Sequence, residues 1–199
     1  GICVACGRHK GGAIHHWQWI RPTRASGKWR SLDQADLYDD TGNLSTKVGN
    51  IVSWETAERL DADGPHVEDV HHPVGGSKVL VKSLSHDEYL EACGSLSRDT
   101  ETISSYFALR SSLALVRPDS IEEVTIASNS YGKFQPRISF KYDNRSLDCG
   151  VTDIAWYDFC KNECDPDVYS YEEFEYDYHL NIEYLVLGRS QYFKGSYWP

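Results

Sequence analysis

The residues best suited to chemistry in this sequence are the cations and indole rings of segment 15–30, which reads HHWQWIRPTRASGKWR and contains no Asp or Glu. Residues 1–32 carry six Lys and Arg residues and no acidic residue, whereas the 199-residue chain has a net charge of −10. Segregation of charge on this scale creates a local positive field on a negatively charged molecule. The sequence therefore predicts phosphate binding at one place, with most of the remaining surface repelling nucleic acid.

The Arg and Lys side chains of this segment are the candidates for a primary anion site. A guanidinium group presents a planar fork of N–H donors that matches the geometry of a phosphate. Arg21 is the best candidate because Pro22 fixes the backbone next to it, and the following loop contains Ser26 and Gly27, which would let it close over a phosphate. The alternatives are that the cations are only solvated, or that Arg21 pairs with a carboxylate and braces the two halves. The predicted anion site comprises Arg21, Arg24, Lys28 and Arg30, with Arg117 as its counterpart in the second half.

Histidine pairs supply the acid–base material in the sequence, at His15 and His16 and again at His71 and His72. Adjacent residues of a strand point to opposite faces, so neither pair can ligate a metal or relay a proton together. The sequence contains no H-E-x-x-H, G-x-S-x-G or Walker motif. We therefore predict no catalytic residue, and a nuclease remains a minor alternative.

Two pairs among the six cysteines have spacings that could contribute to a zinc site, Cys3 with Cys6 and Cys160 with Cys164. Against zinc, the stretch ICVAC reads as a strand in which residues 3 and 6 face opposite sides. Six cysteines do not imply disulfides in a cytosolic protein. We expect neither a metal nor a cofactor, and the four-cysteine zinc site is the alternative.

The elements that must position these residues are predicted to be mostly short strands. Ser85 and Glu88 form a capping box ahead of a helix near 86–93 that stops at Gly94, and Thr152 or Asp153 can cap a second helix over IAWYDFCKN. Strands are expected in ICVAC, AIHHWQWIRP, GNIVSW, KVLVKSL, YFALRSSLALVRP, EEVTIAS, PRISFKY, RSLDCGV and HLNIEYLVLG.

Two of these strands end in the same dipeptide, WIRP at 19–22 and LVRP at 115–118. Proline cannot continue the ladder of an internal strand, so each motif predicts a strand end with its arginine at the rim. The correspondence fits either an internal duplication or chance. Short strands, frequent turns and two halves of similar size favour small barrels or sandwiches over an α/β fold.

The domain organisation follows from a polar stretch, GSLSRDTET, between the two halves. We predict a first barrel at 1–83, a helix and linker at 84–103, and a second barrel at 104–199. No apolar run approaches the roughly 18 residues of a membrane span. No signal peptide is recognisable either, so a cytoplasmic location is expected and a membrane partner is not.

Several separated motifs resemble, in the right order, the bacterial dual-OB domain family. They are ICVACGRHKGG, WQWIRPTRASGKW and the long stretch SLALVRPDSIEEVTIAS…FQPRISFKYDNRSLDCGVTDIAWYDF, whereas residues 33–110 match poorly. The resemblance implies a mainly β protein with two OB-fold-like barrels and a few short helices. It also implies a suspected role in nucleic-acid binding, often beside bacterial defence genes, and no established catalysis.

Within such a fold, aromatic residues next to cations suggest contacts with a single strand. OB barrels stack bases on aromatic rings while Lys and Arg follow the phosphates. The stretch SYGKFQPR repeats this style and predicts either a second, weaker contact surface or a hairpin turn with solvated charges. The alternative for the indoles is that they fill the core of the first barrel. The predicted contact residues are Trp17, Trp19 and Trp29 beside the cations of the first half, and Tyr131, Lys133, Phe134 and Arg137 in the second.

The run YSYEEFEYDYH at 169–179 alternates acidic and aromatic residues. It could mimic a nucleic-acid backbone, contact a partner protein or occupy the basic groove; the plainer interpretation is an exposed loop or edge strand whose tyrosines cover the barrel. Taken together, the sequence predicts a module that binds single-stranded RNA or DNA, or a nucleotide, as a sensor or targeting part of a bacterial antiviral defence system. The main alternative is a protein-interaction domain that uses this acidic run.

Overall fold

The structure, a computed structural model, describes six parts of the chain: residues 6–7, 19–24, 32–55, 69–72, 76–98 and 113–188. The chain divides into two units. The first runs to Leu115 and resumes at Leu187, and the second is Val116–Val186. The domain boundaries predicted at 83 and 104 stay a prediction.

The described residues of the first unit include two small sheets. Strands β1 (Cys6–Gly7), β2 (Trp19–Arg24) and β4 (Asp69–His72) form one, in the order β1-β2-β4, with β2 and β4 parallel. Strands β3 (Asn50–Trp54) and β5 (Lys78–Ser83) pair antiparallel in the other, and a 3₁₀ helix (Gln34–Leu37) and helix α1 (His86–Arg98) complete the unit.

The second unit is built on a four-stranded antiparallel sheet in the order β10-β7-β8-β9. Its strands are β7 (Ser120–Thr125), β8 (Arg137–Tyr142), β9 (Arg145–Gly150) and β10 (Val168–Ser170). Helices α2 (Ile154–Glu163) and α3 (Tyr171–Tyr178) follow β9 and β10. Strands β6 (Leu113–Val116) and β11 (Leu185–Gly188) pair with each other, and the division between the units falls within these two strands.

Aromatic packing forms the core of the second unit. Phe174 of α3 is completely buried, and its ring centroid lies 4.9 Å from Tyr178, 5.7 Å from Trp156 and 5.9 Å from Tyr169. Such pairs add about 0.5–1.5 kcal/mol each beyond the area they bury. They fix α3 against α2 and the edge strand β10, and the position of the first residue of α3, Tyr171, follows from that packing.

Both units contain the same loop, although their sequences differ. Tyr38 bridges Leu44 in the first unit, and Ser128 bridges Phe134 in the second. Asp39 accepts from the backbone N–H groups of residues 41 and 43, and Asn129 accepts from those of residues 131 and 133. Each loop also has a glycine of positive φ at its fourth residue, 81° at Gly42 and 73° at Gly132. Matching loops are what an internal duplication would produce, and the duplication itself stays a prediction.

The mainly β fold with a few short helices is confirmed. Among the described residues the strands form four separate sheets and do not close into barrels. The expected strands in GNIVSW, KVLVKSL, EEVTIAS, PRISFKY and RSLDCGV correspond to β3, β5, β7, β8 and β9. Residues 2–5, 13–18 and 106–112 of the other expected strands lie outside the described part.

Three local expectations were wrong. The strand with WIRP does not end at its proline, because β2 continues through Pro22 to Arg24. The φ of about −65° that proline imposes lies within the extended region, so a strand can pass through a proline with the loss of one hydrogen-bond donor.

Helix α1 does not stop at Gly94 but runs to Arg98, into the expected linker. A glycine inside a helix costs only about 1 kcal/mol relative to alanine, and the neighbouring Ala92 and Cys93 are buried.

The third concerns the run 169–179. Only its start belongs to the edge strand β10, and residues 171–178 form helix α3 in place of a loop or strand. A capping box explains the start of this helix: the Ser170 hydroxyl accepts from the Glu173 N–H, and the Glu173 carboxylate accepts from the Ser170 N–H. Its aromatic residues Tyr171, Phe174 and Tyr178 fall at the spacing of one helix face.

Candidate nucleic-acid interface

An open surface cleft of about 280 Å³ lies in the second unit, directly after strand β6. Its apolar and aromatic lining residues are Pro118, Ile121, Ile182 and Tyr171. Its polar groups come from Arg117, Ser120, Asn181 and Glu183. The cleft therefore offers one cation, one anion, neutral hydrogen-bonding groups and an aromatic side chain.

The end of β6 positions Arg117. All four residues of β6 are buried, and Arg117 is exposed immediately after them. Strand β6 ends at Val116, directly before Arg117 and Pro118, so the expected strand end at LVRP is confirmed. The Asp119 N–H donates to the Lys141 carbonyl at 2.8 Å, and the Asp119 carboxylate accepts from the Asp143 N–H at 3.1 Å. These bonds fix the turn that carries Arg117.

Helix α3 and the segment after it form the other wall. The Tyr171 hydroxyl accepts from the Ile182 N–H at 2.7 Å and donates to Asn181 Oδ1 at 3.2 Å. His179 ends the helix in the left-handed region, with φ 53°, a conformation in which His is enriched among non-glycine residues. The chain therefore turns back after the helix. Tyr171 is held by its backbone, which belongs to α3, and by the hydrogen bonds of its hydroxyl.

Arg117 differs from the other arginines predicted to bind phosphate. Within the described residues its side chain makes no hydrogen bond or ion pair. Arg137, by contrast, binds Asp148 through two nitrogens, Nε to Oδ1 at 2.9 Å and Nη2 to Oδ2 at 2.8 Å. The hydrogen bonds to Asp148 raise the pKa of Arg137. A phosphate would have to compete with that carboxylate, whereas at Arg117 it would not.

Arg24 of the first unit is also engaged. Its Nε donates to Asp36 Oδ2 at 2.9 Å, and its Nη2 lies 2.8 Å from Asp33 Oδ2. Asp36 is only 7% exposed, and the Lys78 ammonium donates to its backbone carbonyl at 3.0 Å. Burial raises the pKa of Asp36, but the hydrogen bonds from Arg24 and the Asp33 N–H outweigh it and hold that pKa below its usual value. Arg24 therefore links β2 to the 3₁₀ helix.

The remaining predicted residues of the first half divide into two groups. Arg21 and Trp19 lie in β2, where Arg21 is half-buried and opposite Asp69 in the parallel ladder. The others lie outside the described residues: Trp17, Lys28, Trp29 and Arg30. The cationic segment as a binding surface therefore stays a prediction.

The second predicted surface, SYGKFQPR, is a turn that presents two side chains to solvent. Tyr131 is 92% exposed, and Lys133 is exposed beside it. Phe134 instead packs edge-to-face on Tyr157 with centroids 5.2 Å apart, and Arg137 is paired as described. The turn offers one aromatic ring and one ammonium group.

Sequence reasoning missed Asn181 and Glu183, and it assigned Tyr171 only to the run 169–179 and not to a nucleic-acid site. A signal for Tyr171 was present, because Ser170 and Glu173 have the spacing of a capping box and predict a helix that begins at Tyr171. No comparable signal places residues 181–183 beside Arg117, since that arrangement depends on the turn at His179.

Cys160 of α2 and Cys164, which directly follows this helix, are part of the core of the second unit. Cys160 is completely buried and Cys164 is half-buried against the same cluster. Burial raises the pKa of Cys160 to about 12, so its thiol stays protonated at neutral pH. In the part of the chain that the structure describes, no three His, Cys, Asp or Glu side chains are arranged to hold a metal ion. Cys3 and the Cys6 side chain lie outside that part.

These observations define a class of protein: a mainly β chain of two units, each with short strands and a matching loop, one of which carries an open cleft of mixed polarity. A family model for a dual OB-containing domain matches residues 1–174, and the chain belongs to this family. Its fold is accordingly OB-like. No curated protein and no solved structure matches the chain. Among the described helices none is long and apolar enough to cross a membrane.

Proposed function

We propose that this protein binds single-stranded nucleic acid or a nucleotide, and that the cleft at Arg117 is a contact site. The observation that carries the proposal is the state of Arg117, whose guanidinium lines an open cleft and has no partner among the described residues. The described Arg24 and Arg137 side chains are both held by carboxylates. Membership in a dual OB family supports the same proposal, because OB folds commonly bind oligonucleotides on their strand and loop surfaces.

The groups of the cleft suit the parts of a nucleotide. Arg117 can donate two parallel hydrogen bonds to a phosphate. The Tyr171 ring offers a face or edge to a base, and base–aromatic stacking contributes about 1–3 kcal/mol per base. Asn181 uses Oδ1 to accept from Tyr171 and retains the two donors of its amide nitrogen. Because Tyr171 is already fixed by hydrogen bonds, little of its freedom would be lost on binding.

Other surfaces can extend the contact along a strand. Tyr131 and Lys133 project from a turn of the same unit. The cationic segment with Arg21, Lys28 and Arg30 belongs to the proposal on the strength of its sequence. Arg24 would contribute only after exchanging one of its carboxylate partners.

We further propose, from the family resemblance, that the module acts in the cytoplasm as a sensor or targeting part of a bacterial antiviral defence system.

A second candidate function is binding of a basic protein partner by α3. Tyr176 is 79% exposed, and Glu172, Glu175 and Asp177 are exposed on the same helix. An exposed aromatic ring among carboxylates is the kind of surface that a basic, partly apolar partner would complement. If α3 is the interaction surface and the Arg117 cleft is not, substitution of Arg117 leaves the affinity for oligonucleotides unchanged.

Fluorescence anisotropy with short single-stranded RNA and DNA tests the first proposal. Arg117→Ala is expected to weaken binding by about 1.5–3 kcal/mol, the contribution of hydrogen bonds to a charged group. Arg137→Ala is the matched control, since it removes the same side chain from a site already neutralised by Asp148. Absence of oligonucleotide binding at low salt, or equal affinities for the two variants, would contradict the proposal.

A further inference from the structure

The charges of the Arg117 cleft are balanced. Of the residues that line it, Arg117 carries the only positive charge and Glu183 the only negative charge. The two side chains form no ion pair within the described residues. The cleft can therefore attract one negative charge at the guanidinium, and it repels any further charge that reaches Glu183.

The surroundings of the cleft are strongly acidic. Between residues 153 and 183 the chain contains ten Asp and Glu residues and, among Lys and Arg, only Lys161. Glu172 and Glu175 of this segment are exposed on α3, the helix that begins at the cleft residue Tyr171. Clustered charges of one sign produce a potential that acts beyond individual contacts. A ligand with several negative charges is thus opposed both inside the cleft and around it.

We propose that the cleft accepts a nucleotide from within a single strand, linked by phosphodiesters, and discriminates against nucleoside di- and triphosphates. This inference rests on the proposed function and narrows its ligand. Each phosphodiester carries one negative charge, which the single guanidinium of Arg117 matches. A free polyphosphate concentrates several charges at one place, where only one cation is available and Glu183 is close by.

Glu183 can also contribute favourable contacts to the preferred ligand. A carboxylate only accepts hydrogen bonds, so it complements a sugar hydroxyl or a base amino group and not a phosphate. The cleft volume of about 280 Å³ lies just below the roughly 300–1,000 Å³ usual for small-molecule pockets. That volume suits one unit of a chain whose remainder stays outside.

Competition binding tests the inference on the full chain. A labelled single strand of about eight nucleotides, within the range that OB folds cover, is displaced by adenylyl-adenosine, a dinucleoside monophosphate, or by ATP at constant ionic strength without Mg²⁺. The dinucleoside monophosphate is expected to compete at a concentration at least about fivefold lower than ATP, given the added repulsion of several charges near a surface carboxylate. Glu183→Gln is expected to remove most of that difference by improving ATP binding.

Glu175→Gln is the matched control, because it removes one exposed negative charge from α3 outside the cleft. It is expected to change the ATP affinity by less than about twofold, since solvent and salt screen exposed charges. If ATP competes as well as the dinucleoside monophosphate, while Arg117→Ala still weakens oligonucleotide binding, the inference is wrong and the proposed function stands. If Arg117→Ala has no effect on oligonucleotide binding, the proposed function itself fails.

Discussion

At the scale of single residues, arginine chemistry depends on what the arginine faces. The sequence placed Arg24 in the primary anion site, Arg117 as its counterpart in the second half, and Arg137 in a second, weaker surface. The fold supplies carboxylates to Arg24 and Arg137 and leaves Arg117 at an open cleft. A guanidinium bound by a carboxylate holds structure together, whereas one without a partner is available to a phosphate.

Asp36 provides a test of the structural role of Arg24. Asp36→Asn is expected to lower the free energy of unfolding by about 1–3 kcal/mol, because it weakens a partly buried, charge-assisted hydrogen bond. Chemical denaturation of the purified variant measures the change. Asp33→Asn is the control: Asp33 is more exposed, asparagine is an equally good helix cap, and an exposed ion pair contributes at most about 1 kcal/mol. Equal effects of the two substitutions would contradict the assignment.

The same carboxylate predicts a pH dependence of stability. The pKa of Asp36 is lower in the folded protein than in the unfolded chain, because the hydrogen bonds from Arg24 and Asp33 outweigh its burial. Its contribution is therefore complete above the unfolded pKa, about 3.9, and is lost as the pH falls through the folded value. The unfolding free energy of the wild type is expected to fall more steeply below about pH 4 than that of Asp36→Asn. Parallel pH profiles would exclude this role.

At the scale of elements, backbone conformation fixes the loops that both units share. Gly42 and Gly132 have positive φ values, and a Cβ atom added at either would meet no atom within 4 Å. The cost of a side chain there is one of backbone conformation alone. We expect Gly42→Ala and Gly132→Ala each to destabilise the protein by about 1–2 kcal/mol, the penalty for an L-residue in the left-handed region.

Gly188→Ala is the control for these loops, since Gly188 has equally open surroundings without a positive φ. Thermal unfolding is expected to show similar losses for the two loop variants and no loss for Gly188→Ala. Very different losses at Gly42 and Gly132 would argue against equivalent loops. Equal losses agree with a duplicated architecture.

How far the elements could be predicted depended on whether their signals were local. The alternation in PRISFKY and the caps at Ser85 and Asp153 lie within a few residues of the elements they define, and β8, α1 and α2 followed from them. Helix α3 was missed because its acidic and aromatic residues alternate like a strand. Its capping box and the Tyr171–Phe174–Tyr178 spacing were the better signals. The cleft was beyond prediction, because its two walls come from distant segments.

At the scale of the whole molecule, the charge distribution limits which ligands can approach. The net charge of −10 and the acidic segment after residue 153 oppose nonspecific binding of polyanions. Binding of a single strand must then depend on a few local phosphate contacts. The slope of affinity against salt concentration measures the number of such contacts. Through a few such contacts, an acidic OB-like protein can bind a single strand despite its net negative charge.

The salt dependence of oligonucleotide binding tests the central claim most directly. For a single strand, the slope of log affinity against log salt concentration is about −0.7 for each phosphate neutralised. Arg117→Ala is therefore expected to make the slope shallower by about 0.7, while Arg137→Ala leaves it unchanged. If all three proteins give the same slope, Arg117 contacts no phosphate, and the assignment of the cleft as a nucleic-acid site is wrong.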